Sequence, residues 1–284
     1  MRRALAALTL LSVAACGRSP VGWRDDGADG LGGRGDGDDS SQTCQQADFL
    51  FVIDDSESMA DNQEKLAANY DIFVGGIVDA VERLETIHVG VVTTDAYVHN
   101  GPGCQDLGGL VVRTGGPHSS SHRCGPYAEG HNYMTEADDL DESFRCAARV
   151  GTAGSAVEAV LGASVAALSP PLTEAGGCNE GFLRDDALLV LVIVTDEDAE
   201  VDPVFAASEL LSRKDGGLDD VVVVALGNPS DGSCGLGDTQ VSLGLEAFVR
   251  SFRHGFMGPI CASSYEEVFA EAVALVEDAC PAGR

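Results

Sequence analysis

The sequence predicts an α/β fold: a doubly wound, mostly parallel sheet with helices on both faces, stapled by disulfides. Three observations predict it. Short runs rich in Val, Ile and Leu, with little alternation, occur at 48–53, 86–93, 187–195 and 220–226, as in strands buried on both faces of a parallel sheet. Stretches of helical length alternate with them or follow them, at 59–84, 154–168, 202–214, 243–254 and 264–279, and alternating β and α elements imply a parallel sheet covered by helices. Eight cysteines besides Cys16 stand behind an export signal, which favours disulfides.

The elements follow in order. Arg2 and Arg3 precede an apolar stretch, Ala4 to Ala15. It is too short to span a bilayer, which takes about 20 residues, but suits a signal peptide. It ends Val13-Ala14-Ala15-Cys16. Small residues before a cysteine resemble a bacterial lipobox, which implies a signal peptide over 1–15 and a lipidated Cys16. Residues 16–43 then form an acidic tether rich in Gly, Asp and Ser, too poor in apolar side chains to offset the entropy of ordering. The rest, 44–284, reads as one domain.

In the first helix Leu66, Tyr70, Phe73, Ile77, Val81 and Leu84 recur every three or four residues and give one apolar face. Residues 95–150 interrupt the rhythm as a Gly-, His- and Ser-rich insertion containing Cys104 and Cys124, with 107–114 as a short strand candidate at an antiparallel edge. Residues 169–185 form a second irregular stretch. The last helix opens Ser264-Tyr265-Glu266-Glu267, a capping-box pattern.

Composition excludes several functions. A formal charge of −29 makes nucleic acid and anionic lipid surfaces poor partners. There is no phosphate loop of the Gly-x-x-x-x-Gly-Lys-Ser/Thr type, no Gly-x-Ser-x-Gly elbow, no Cys-x-x-Cys and no His-Glu-x-x-His. His118 and His122 lie near Cys124 in a non-helical context that argues against zinc, and His88 on its strand reads as structural.

The informative motif is Phe49-Leu-Phe-Val-Ile53 running into Asp54, Ser56 and Ser58. It places a carboxylate and two hydroxyls in a strand-to-helix turn, where open α/β sheets bind ligands. A second apolar strand ends on Asp196, and the Gly-rich turn at Thr152 adds a hydroxyl, with Ser155 as its alternative. Oxygen donors of this kind suit Mg²⁺, with Mn²⁺ or Ca²⁺ as alternatives. The plainer readings are helix caps: Ser56 or Ser58 for the first helix, Asp196 for the helix at 202–214. Asp55, Glu57, Glu197 and Asp198 crowd the motif with charge, and solvent is the simplest place for them.

Asp54-x-Ser56-x-Ser58, then Thr152, then Asp196 after a buried strand resembles the metal-ion-dependent adhesion site of the von Willebrand factor A domain, over about residues 44–280. The resemblance implies that Asp54, Ser56, Ser58, Thr152 and Asp196 hold one Mg²⁺ directly or through water, and that a protein partner's carboxylate fills the open position. With the lipobox it implies an exported bacterial lipoprotein of the cell envelope, in the outer membrane, that binds rather than catalyses. The alternatives are a metal-dependent phosphohydrolase, against which Ser56 stands where a general acid belongs, and a metal-free structural envelope protein. In a domain of this type the chain ends lie close together, so Cys44–Cys280 is the expected clasp. Cys104–Cys124, Cys146–Cys178 and Cys234–Cys261 are the sequence-local remainder.

Overall fold

The computed structural model describes residues 45–80, 84–155, 158–214, 217–235 and 240–280, without the side chains of 74 and 77–80. The expected signal peptide, Cys16, the expected tether and Cys44 lie outside the described residues. A six-stranded sheet has the order β3-β2-β1-β4-β5-β6. Its strands are β1 (Gln46–Ile53), β2 (Thr86–Thr93), β3 (Met134–Thr135), β4 (Leu188–Val194), β5 (Val221–Gly227) and β6 (His254–Pro259). All neighbours are parallel except β3, which runs antiparallel to β2. The helices are α1 (Ala60–Ala80), α2 (Leu140–Ala148), α3 (Val160–Ala167), α4 (Pro203–Ser212), α5 (Leu243–Val249) and α6 (Glu266–Ala279).

Side-chain parity divides the core into two layers. Phe49, Phe51 and Ile53 of β1 pack with Val190, Val192 and Val194 of β4 under α1, α2 and α6. Leu50 and Val52 pack with Leu189, Leu191 and Ile193 under α3, α4 and α5. Because both faces are covered, these strands carry no polar alternation. Aromatic contacts join the helices of the first layer: Phe73 stacks on Phe269 at 4.7 Å and Tyr70 on Phe144 at 3.8 Å.

The expected doubly wound α/β fold is therefore present, with corrections. Residues 107–114 are not a strand; Met134–Thr135 forms the antiparallel edge, while Val111 N donates to Val91 O at 2.8 Å. The helix expected over 243–254 stops at Val249, and the chain turns back into β6. β6 is not read as a strand in sequence because close packing demands its glycines: a Cβ on Gly255 would lie 2.2 Å from Val249 O, and one on Gly258 2.5 Å from Val268. The capping box does not form. Ser264 lies one residue before the N-cap, Tyr265, and its hydroxyl donates to Asn69 Oδ1 at 3.1 Å.

Cys234 pairs with Cys261. The other local pairings are wrong: Cys104 bonds Cys178 and Cys124 bonds Cys146, with Cα atoms 5.1 and 5.6 Å apart. The reason is that the two irregular stretches fold onto each other. Asn179 accepts from Leu110 N at 3.0 Å and donates to Gly108 O and Ala167 O, which brings Cys178 to the insertion. Helix α2, which carries Cys146, is tied to the loop before Cys124 by Ser120 Oγ donating to Cys146 O at 2.9 Å. Cys280 is disulfide-bonded; the expected partner, Cys44, is outside the described residues.

Candidate metal centre

Register aligns the site. Ile53 pairs with Thr93 on one side and with Val194 on the other, so the residues leaving β2, β1 and β4 emerge side by side at one rim. The chain passes from β1 to β2 on one side and reaches β4 on the other, so β1 and β4 flank a topological switch point, where α/β sheets bind ligands. Asp54 follows β1 and Asp196 follows β4.

Asp54 is fully buried. Its Oδ1 accepts from Ser56 N at 2.8 Å and its Oδ2 from Thr195 Oγ1 at 2.6 Å. Burial pushes its carboxyl above the usual carboxylate range, the bonds from Thr195 and Ser56 pull it down, and Asp196 pushes it up. The Ser56 and Ser58 hydroxyls share a hydrogen bond at 3.2 Å. Ser56 is the N-cap of the 3-10 turn Glu57–Met59 by position, but no side-chain cap bond forms there.

Asp196 is not a cap. Asp202 takes that role, accepting from Phe205 N at 2.8 Å at the start of α4. Asp196 Oδ1 is buried and has no hydrogen-bond partner, and an unpaired buried oxygen costs about 1–3 kcal/mol. The loop after β4 is held elsewhere by its own carboxylates. Asp198 Oδ1 accepts from Leu245 N at 2.9 Å, and Glu200 accepts from Leu161 N and Gly162 N in the first turn of α3.

Thr152 lies in a turn fastened to the site by backbone. Gln63 is buried and donates to both Asp54 O and Gly151 O, at 2.9 and 2.8 Å, while its Oε1 accepts from Gly151 N at 3.0 Å. Gly154 N donates to Asp55 O at 2.8 Å. Gly151 adopts φ +96°, and a Cβ there would meet Pro117 O at 2.7 Å, so glycine is required. Among the described residues no hydrogen bond joins the Thr152 side chain to Asp54 or Asp196. Ser155, the alternative hydroxyl, bonds Asp95 instead, through its N–H at 2.5 Å and its Oγ at 3.3 Å.

Asp54, Ser56 and Ser58 thus meet at one turn, with Asp196 close enough to act on Asp54 electrostatically, and Thr152 on an adjoining loop. The donor set of two carboxylates and neutral hydroxyls, with one carboxylate oxygen buried and unpartnered, fits a hard divalent cation. Sequence reasoning missed Thr195, Gln63 and the grouping of Asp55 with Asp95 and Glu158. Asp55 does not point to solvent: it is 2% exposed. A repeated signal marked this group, since β2 ends Val92-Thr93-Thr94-Asp95 much as β4 ends Val194-Thr195-Asp196.

Fold and site together define a doubly wound α/β protein whose oxygen donors at the carboxyl ends of its strands fit a divalent cation. No family model and no curated protein matches the chain. It is similar to proximal thread matrix protein 1 (PTMP1) from the mussel byssus, at 16% identity and a TM-score of 0.44 over 83% of this chain and 48% of that one. It is also similar to a von Willebrand factor type A structure from Catenulispora acidiphila, at 12% identity and a TM-score of 0.42 over 83% of this chain and 43% of that one. The chain spans just under half the length of these two structures.

Proposed function

We propose that this protein is a lipid-anchored envelope protein that binds a divalent cation at a metal-ion-dependent adhesion site and engages a protein ligand through it. Asp54, Ser56, Ser58, Thr152 and Asp196 would hold the ion, Mg²⁺ first among candidates because two neutral hydroxyls in the set leave it electrophilic. The bound ion would supply an open coordination position for an outside carboxylate. The observation that carries this reading is the buried, unpartnered Asp196 Oδ1 beside a doubly oriented Asp54.

A protein partner is supported by the surroundings. Val204 and Phe205 in the first turn of α4 and Leu243 at the start of α5 are 68%, 63% and 61% exposed. They flank the loop after Asp196, where Gly244 packs against Ala199 and Asp198. Large apolar side chains around a cation centre give a ligand surface to bury once its carboxylate is captured.

The test is a Mg²⁺ titration of melting temperature on wild type and Asp54→Ala, with a generic phosphatase assay alongside. Metal-dependent stabilisation in wild type alone, without turnover, is the expected result. An unchanged titration in Asp54→Ala would refute the site. Capture of a partner from envelope extract should disappear in EDTA. Cys16→Ser should release the protein from membranes, as lipid is its proposed anchor.

A further inference from the structure

We propose that Asp55, Asp95 and Glu158 form a second divalent-cation site, of the Ca²⁺ type, on the β2 side of β1. The three residues come from separate places: Asp55 from the turn after β1, Asp95 from the end of β2, and Glu158 from just before α3. Each offers a carboxylate oxygen within 4.8 Å of those of the other two. Ligands of one Ca²⁺ ion lie up to about 4.6–5.2 Å apart, given Ca–O distances of 2.3–2.6 Å, so a small inward turn of the three side chains brings them onto one ion.

Glu158 points to a missing ligand independently of the clustering. It is 4% exposed. Its Oε2 accepts from Thr94 Oγ1, whereas its Oε1 is buried with no partner. Thr94 Oγ1 also lies 3.5 Å from Asp55 Oδ1, so one hydroxyl faces two carboxylates and can satisfy only one as donor. Asp95 is oriented by the Ser155 N–H and hydroxyl. None of the ion pairs among the described residues includes any of the three acids. A cation held by the three carboxylates would give Glu158 Oε1 the partner it lacks. The carboxylate-only set differs from the mixed hydroxyl and carboxylate set at Asp54, which is why the larger, more flexibly coordinated ion suits it.

The test is equilibrium dialysis of the full chain against Ca²⁺, with bound ion measured by elemental analysis, on wild type, Glu158→Gln, Asp95→Asn and Asp196→Ala. Wild type and Asp196→Ala should hold an ion that both Glu158→Gln and Asp95→Asn lose. Asp95 is only half-buried, so its variant keeps the test sound if Glu158→Gln folds poorly. Equal Ca²⁺ content in wild type, Glu158→Gln and Asp95→Asn would overturn the proposal, as would wild type binding none. Loss of all bound Ca²⁺ from each of the three variants means one shared ion, which also overturns a separate site. Failure of the Asp54 centre reads out separately, in the Mg²⁺ titration of Asp54→Ala.

Discussion

Thr195 Oγ1 donates to Asp54 Oδ2 across the junction of β4 and β1, at 2.6 Å. With Ser56 N on the other oxygen, both oxygens of the carboxylate are fixed by donors from two different strand ends. These bonds oppose the burial that raises the proton affinity of Asp54. Without the Thr195 hydroxyl, the carboxylate loses its orientation and a proton competes better with a cation. Thr195→Val keeps the shape and should weaken Mg²⁺ binding about 10–100-fold, as loss of supporting hydrogen bonds does at other metal sites. A Mg²⁺ titration of melting temperature checks it; a wild-type midpoint would contradict the role.

Asp196 should change sign with the metal. In EDTA, Asp196→Ala removes an unpartnered buried oxygen and a negative neighbour of Asp54. The variant should then melt at or above the wild-type temperature. At saturating Mg²⁺ the order should reverse, because an ion at about 100 times its Kd stabilises the wild type by about 2.7 kcal/mol. A variant that melts below wild type by the same margin in both conditions would reduce Asp196 to a structural residue.

Legibility in the sequence tracked the range of the causes. Strands β1, β2, β4 and β5 were readable because burial on both faces writes an unbroken apolar run. Strand β6 was not, because Gly255 and Gly258 serve contacts with Val249 and Val268 that exist only after folding. Asp54, Ser56 and Ser58 were readable as a local turn. Glu158 was not: it stands among small and apolar residues, 63 residues beyond Asp95 in the chain, and gains meaning only when α3 packs behind β1 and β2. The pairings Cys104–Cys124 and Cys146–Cys178 failed for the same reason, since nearness in sequence does not register the docking of 169–185 on the insertion.

At the opposite end of β1, His88 offsets a buried ion pair. Asp48 is fully buried and bonded by Arg184 through N and Nε, each at 2.7 Å. Burial still lifts Asp48 to about 6, so its contribution to stability falls as pH rises from about 4 to 6. His88, packed on Tyr133 at 4.3 Å with Nδ1 at 2.8 Å from Phe182 O, is pushed down to about 4 by burial, and Arg184 lowers it too. It is neutral at pH 7, so its 3.6 Å approach to Asp48 is not an ion pair there. A depressed histidine destabilises the fold below its unfolded pKa of about 6.5, and that penalty disappears as pH rises from 4 to 6.5. The stability difference between wild type and His88→Gln should therefore move in favour of wild type across that window. Urea unfolding at pH 4, 5 and 6.5 measures it; a difference that stays flat would mean His88 titrates normally.

The Cys104–Cys178 bond should matter more than Cys124–Cys146. The first closes a separation of 74 residues and the second one of 22. On the entropic model these restrict the unfolded chain by about 4.5 and about 3.5 kcal/mol. Packing adds to the difference. The Cys104–Cys178 bond clamps the insertion and the second irregular stretch over β2, where Leu110 and Phe182 close on Gly90 so tightly that a Cβ there would lie 2.5 Å and 2.9 Å from them. Cys124–Cys146 joins a loop to α2, which is already held by Phe144, stacked on Tyr70 and edge-on to Phe51. Urea unfolding of the Cys104→Ser/Cys178→Ser and Cys124→Ser/Cys146→Ser double variants should give the larger loss for the first pair. Hydrogen exchange should locate that loss in β2 and its cover. Equal losses, or unchanged protection of β2, would show that side-chain packing alone holds the insertion in place.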